Sequence, residues 1–370
     1  MIETKHLIAA AALVAATACA VDPDDRIGTI EQASGEEDCA EHDCGGNAAS
    51  MGIGISFHDA HKTLLNDAGV RLVGFRKAGQ RLELAVEGDE LVGWKGSQKL
   101  QQLQLSGARL VFARGDDTFV VRIGRPATSE PGWKLIEFWA VPQERISAYQ
   151  FVYHRLGPGE PIDNESVTDW APLCAETLAA GDRETTQYIG DAVSWAIVFA
   201  GDRYDAATKT VSTDPARVDG WFNIACLGTA VAKMHLFRYS EAGTPLNQLP
   251  TTQLERQALL KAITGDECGT GHSFTHDGHQ VGYMDRRGWV HPFDVNGPDI
   301  ESVESLWTAQ GARCLDEPRL EKEEGHEIVE AIRRECGGRL PPTCTSILHG
   351  NRAQWTHVAG VHAITVNPRP

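Results

Sequence analysis

Apolar and polar residues alternate in steps of two over residues 70–75 and again over 82–87, on either side of Lys77-Ala78-Gly79. This pattern predicts two antiparallel strands joined by a turn. Runs of the same kind recur at 108–113, 119–123, 134–141 and 149–154. Strands this short, with turns between them, predict an antiparallel sandwich or barrel. Gly157-Pro158-Gly159-Glu160-Pro161 then punctuates the chain as a linker would. Beyond it the spacing changes. Strands are expected near 194–200 and 221–226, and helices over 229–237, from Thr252 onward, and over 319–336. In the second helix Thr252 and Glu255 form a capping box, Leu254, Ala258, Leu259, Ala262 and Ile263 define an apolar face, and Gly265 is the stop. The fold class is therefore α+β and β-rich: an N-terminal antiparallel β sandwich or barrel over 52–160, then a disulfide-stabilised α+β region over 161–370.

The first residues read as a leader. Lys5 precedes an apolar run from Leu7 to Ala18, too short to span a bilayer. Its end has two readings. Ala15-Ala16-Thr17-Ala18-Cys19 fits a permissive lipobox, in which Cys19 is the lipidation site closing a 1–19 signal peptide. Small residues at Ala16 and Ala18, or at Ala18 and Ala20, suit an ordinary signal peptidase. Nine acidic residues against one arginine fall between Asp22 and Asp43, so 20–51 reads as an acidic, disordered tether.

Cysteine number agrees with export. Apart from Cys19, eight remain: Cys39, Cys44, Cys174, Cys226, Cys268, Cys314, Cys336 and Cys344. An even set in an exported chain predicts four disulfides, and only the short Cys39–Cys44 and Cys336–Cys344 spacings invite a local pairing. The net charge of −17 argues against nucleic acid as a partner and leaves a lipid anchor as the route to a membrane. The expected location is the outer membrane or periplasm as a lipoprotein, or the extracellular space. Partners and ligand are open, and no cofactor is expected.

Candidate chemistry is sparse. Phe274 to Val281 reads as a hairpin with an Asp277-Gly278 tip, which brings His276 and His279 together as a two-histidine metal site. His272 would lie about 13 Å further along the strand, too far to complete it. His58-Asp59-Ala60-His61 reads as a surface loop. Gly271-His272-Ser273-Phe274-Thr275 lacks the second glycine of a nucleophile elbow. Cys226 and Cys268 suit disulfides better than thiolate chemistry. Asp266 and Glu267, beside a helix end, are expected to accept hydrogen bonds from turn N–H groups. Asp202 and Asp205 suggest Asx turns. Trp94, Trp133 and Trp355 are candidates for an exposed aromatic patch. No catalytic residue can be assigned.

Gly265-Asp266-Glu267-Cys268 followed by Gly269-Thr270-Gly271-His272-Ser273-Phe274-Thr275 resembles the hallmark of the ADYC-domain proteins, an exported family typical of myxobacteria. In that family Ala-Asp-Tyr-Cys ends a helix and leads into a similar glycine-rich run. Asp266 and Cys268 match, while Gly265 and Glu267 stand in place of alanine and tyrosine. Trp221-Phe222-Asn223-Ile224-Ala225-Cys226 leading into Ala232-Lys233-Met234-His235-Leu236, Trp307 through Cys314-Leu315, and residues 199–211 are similar as well. The resemblance implies a fold and an exported location, and no catalytic residues. Two functions follow as expectations: a non-catalytic binding or scaffolding module of the cell envelope, or an extracellular hydrolase with its site near the Cys268–His279 turn.

Overall fold

The computed structural model describes residues 50–368 apart from 52–54, 57–58, 62, 67, 125–131, 138–144, 175–194, 206–207, 213–219, 228, 238, 240–249, 276–280, 288–289, 292–299 and 322–324. Cys19, Cys39, Cys44, His276, His279 and the acidic segment lie outside the described residues.

A ten-stranded sheet carries the fold. Its main strands are β1 (Asp59–His61), β2 (Val70–Lys77), β3 (Arg109–Arg114), β4 (Asp117–Ile123), β5 (Arg145–Arg155), β6 (Trp195–Ala200) and β7 (Trp221–Cys226). They lie in the order β1-β7-β6-β5-β4-β3-β2, every pairing antiparallel. A separate three-stranded meander, Glu83–Glu87, Glu90–Lys95 and Gln98–Gln101, supplies Leu84 and Leu91 to the core beneath one face.

The pleat explains the sequence of the central strands. On one face Tyr149 and Phe151 of β5, Val198 of β6 and Ile224 of β7 join Leu110 and Phe112. Their neighbours Ala148, Ile197, Phe199 and Ala225 point to the opposite face. Strands covered on both sides lose the polar half of the alternation, hence the near-continuous runs WAIVFA and WFNIAC.

The second face is covered by α1 (Ala230–Leu236) and α2 (Gln253–Thr264). On their far side lies a five-stranded antiparallel sheet containing β8 (Gly282–Asp285), β9 (Ile300–Thr308), β10 (Gly311–Leu315) and β11 (Ala363–Pro368), ordered β8-β11-β9-β10 with Val290–His291 at the β8 edge. Tyr283, Trp307 and Ala363 reach from it into the same core as Leu259, Leu260 and Ile263 of α2. Each such aliphatic side chain contributes about 1.5–3 kcal/mol of burial. Helix α3 (His326–Glu335) covers a satellite core.

The β-rich α+β class is therefore as expected, with corrections in detail. The boundary expected at 160/161 falls inside one sheet, since β5, β6 and β7 are neighbours in it. The segment just after the supposed linker is fastened to that sheet: buried Arg109 of β3 donates to the Ile162 carbonyl at 2.8 Å and to Glu165 at 2.6 Å. Leu254 is 49% exposed, while Arg256, Gln257 and Lys261 are buried, because α2 lies between two sheets and no face of it is left to solvent except at its start. The last long helix begins at His326, after Gly325 at φ +67°, not at Arg319. Asp59-Ala60-His61 is a strand pairing with β7, with Asp59 held by Arg203 at 2.8 Å and the His61 ring against Trp221. Trp355 is a core residue, and Trp133 donates its indole N–H to Ser147 at 3.0 Å.

Candidate functional site

The helix–turn hallmark is built from α2 outward. Thr252 and Glu255 close the capping box, and at the other end Gly265 takes the left-handed conformation (φ +56°) that stops the helix. Asp266 N–H donates to the Lys261 carbonyl at 3.0 Å and Gly265 N–H to that of Ala262, the paired bonds of a Schellman turn. The fully buried Asp266 carboxylate then accepts the Gly271 N–H at 2.9 Å and pairs with the buried ammonium of Lys261. The same ammonium donates to the Thr208 carbonyl at 2.9 Å. Lys209 donates to the Gly271 carbonyl, and its own burial lowers its pKa. Gln257 holds the strand at Lys209–Val211 with two 2.7 Å bonds, and Arg256 pairs with Asp202. The buried polar side of α2 is thus held by the 199–211 segment, and Asp266 Oδ2 by its own turn and its own helix. Asp205 accepts the Thr208 N–H at 2.9 Å, the expected Asx turn, whereas Asp202 serves the ion pair.

The turn lies backbone against backbone on the tip of the β9–β10 hairpin. Ala312 N–H donates to the Glu267 carbonyl at 2.9 Å. A Cβ on Gly269 would sit 2.0 Å from the Gln310 carbonyl oxygen, and one on Gly311 2.6 Å from that of Glu267. Both positions also have positive φ, +70° and +113°. Arg319, fully buried, spans the gap behind the turn. It grips Glu304 of β9 at 2.6 and 2.9 Å and donates to the Ala262 carbonyl at 2.9 Å, placing a cation at the C-terminus of α2.

Two disulfides fix this region, joining Cys268 to Cys336 and Cys314 to Cys344, and a third joins Cys174 to Cys226 in the core of the large sheet. Cys226 and Cys268 are therefore not free nucleophiles. The local Cys336–Cys344 pairing is overturned. Gly337 and Gly338, both at positive φ, turn the chain away after α3, and Cys344 opens a separate short helix against β9 and β10.

Glu267 departs from the expectation for a turn carboxylate. It is 2% exposed, and neither side-chain oxygen reaches a hydrogen-bond partner on another residue. Burial raises its pKa well above the ordinary carboxylate range; Arg319 pulls the other way, and Glu304 adds to the rise. One arginine lies behind the turn for two glutamates, and its bidentate grip is on Glu304, which leaves Glu267 without a cation of its own.

Glu267 and the Cys268–Cys336 disulfide line a cavity of about 510 Å³ with Arg313 of β10, Arg339 and Pro341. No sequence signal marks this cavity. Its walls come from the signature turn, the β9–β10 hairpin and the segment after α3. His272, in the sequence beside them, packs at a tilt against Phe274, 4.5 Å between ring centroids. Among the described residues no three His, Cys, Asp or Glu side chains converge as a metal site, and no helix is long and apolar enough to cross a membrane.

A β-rich α+β body, stapled by disulfides around a helix that ends in Gly-Asp-Glu-Cys, defines the class. The chain belongs to the ADYC family, whose domain model matches residues 102–321. No curated protein and no solved structure matches it.

Proposed function

We infer that this protein is an exported component of the cell envelope whose body is a non-catalytic binding module, with the cavity at the signature turn as its ligand site. The single observation that carries this reading is the cavity itself, about 510 Å³, with Glu267, the Cys268–Cys336 disulfide and two arginines among its lining residues. Three disulfides support an oxidising compartment. The leader-like start agrees, with Cys19 as the point of lipid attachment. The described lining offers groups that hold a ligand. Its two cysteines are bonded to each other, and the Thr308 hydroxyl donates to the Gly311 carbonyl at 3.0 Å.

An extracellular hydrolase is the second reading, for one reason: burial pushes the Glu267 pKa up, the direction a general acid requires. Among the described lining residues there is no nucleophile–base pair to act with it.

The test is native mass spectrometry of the protein purified from the envelope fraction of its host, alongside Ala359→Trp. Ala359 is an exposed residue of the cavity wall, so the indole blocks the cavity without entering the core. The expected result is a small molecule retained by the wild type and absent from the variant, leaving with its mass unchanged. A cleaved ligand would move the reading to the hydrolase. Equal retention by both proteins, or recovery from the cytosol with free thiols, would overturn it.

A further inference from the structure

The disulfides among the described residues are not equivalent. Cys174, Cys226, Cys314 and Cys344 are buried, whereas Cys268 and Cys336 are half-exposed and line the open cavity at the signature turn. The exposed bridge ties α3 to that turn, and little else holds this helix. Of its residues Ile328, Val329 and Ile332 are buried, in the satellite core with Phe274, Leu315 and Leu320 of the body. Its ion pairs stay within it: Glu330 meets His326 at 3.3 Å and Arg333 at 2.8 Å. Among the described residues no ion pair joins α3 to the body. Gly325 precedes the helix and Gly337 and Gly338 follow it, all three at positive φ with open space around them. The chain is thus free to pivot at both ends of α3. A helix of 10 residues is marginal in water without packing, so the bridge decides whether this one stays docked.

We propose that Cys268–Cys336 is a thiol-exchange site at which an external dithiol opens the bridge and releases α3 from the signature turn as a flap. A thiolate of the dithiol attacks Sγ of Cys336, the Sγ–Sγ bond breaks, and Cys268 leaves as a thiolate. The second thiol of the reductant then displaces Cys336 from the mixed disulfide. The dithiol is oxidised to its own disulfide by two electrons, and its two protons pass to Cys268 and Cys336. Cys336 is the sulfur attacked because it caps the C-terminal end of α3, where the helix dipole opposes a thiolate; Cys268 is then the better leaving group. With the bridge open, three apolar side chains are left to hold α3. Its departure uncovers Phe274, Leu315 and Leu320 and takes Cys336 out of the cavity wall. The device stands whether or not the cavity holds a ligand.

The experiment is hydrogen–deuterium exchange of the full chain, oxidised and after mild reduction with dithiothreitol, with mapping of alkylated cysteines to identify the open bridge. With Cys268–Cys336 alone open, the amides of 326–335 should exchange about tenfold faster or more, while those of α2 keep their protection. Cys268→Ser with Cys336→Ser should show the same local loss without reductant, and the mildly reduced wild type gives the reading by itself if that variant fails to fold. Brief exposure to reduced glutathione, quenched with acid, should leave glutathione on Cys336. Unchanged exchange in 326–335 with the bridge open overturns the proposal, as does a buried bridge opening first or glutathione found on Cys268 alone.

Discussion

Glu267→Gln should remove a pH dependence that the wild-type fold carries in its core. Glu267 is fully buried beside an arginine committed to Glu304, and burial raises its pKa well above the usual range. The native state then holds a proton that the unfolded chain releases above its ordinary pKa of about 4.3. With more protons bound in the native state, stability falls as pH rises, by at most about 1.4 kcal/mol per pH unit, until the folded pKa is passed. From about pH 5 to about pH 7 the loss approaches 2.7 kcal/mol while the proton is retained. Glutamine cannot ionise, so its unpartnered amide adds only an offset that is constant with pH. Urea unfolding of both proteins across this range, disulfides intact, gives the difference in stability, in which every other titrating group cancels. The difference should move in favour of the variant at each step upward. A constant difference would mean that Glu267 is ionised and paired in the fold, and a difference moving the other way would mean a depressed pKa. Either refutes the reasoning.

Asp266→Asn removes the charge partner of Lys261 and leaves an ammonium buried, so a loss of about 3–5 kcal/mol is expected in the same assay; less than about 1 kcal/mol would show that Lys261 is satisfied by the Thr208 carbonyl alone. Under graded reduction, peptide mapping of alkylated cysteines should show Cys268 and Cys336, both half-exposed, opening before the buried Cys174–Cys226 and Cys314–Cys344 pairs. The Cys268–Cys336 bridge closes a loop of 68 residues, so Cys268→Ser with Cys336→Ser should cost about 4 kcal/mol, and an unshifted urea midpoint would contradict that.

What the sequence discloses here is local, and what it hides is set by packing between distant elements. The capping box at Thr252 and Glu255, the glycine stop at Gly265 and the strand periodicity of 70–75 all appear as expected, because each depends on neighbours a few residues away. The signature tetrapeptide also identifies the family, and Asp266 and Cys268 prove to be the ion-paired acid and the bridged thiol of its turn. Disulfide partners are different: Cys268 finds Cys336 across the turn and α3, and no spacing rule encodes that. Asp266 and Glu267 look alike in sequence. Lys261 and the turn make one an ion-paired acid, and the approach of β9 and β10 leaves the other buried without a hydrogen-bond partner on another residue. Arg313 and Arg339 carry no pattern at all, and line one cavity only because the chain folds back after α3. Gly157–Pro161 has the composition of a linker, and the clamp from Arg109 becomes visible only in three dimensions.

The contact between Gly269 and Gly311 also bears on how this family can change. Where two side chains meet, a larger residue on one side is accommodated by a smaller one opposite, and paired substitutions allow a lineage to drift. Here each glycine faces a peptide carbonyl, which no mutation can shrink. A substitution at either position has no second-site remedy within the contact itself. These two positions therefore stay closed to exploration for as long as the turn sits on the hairpin.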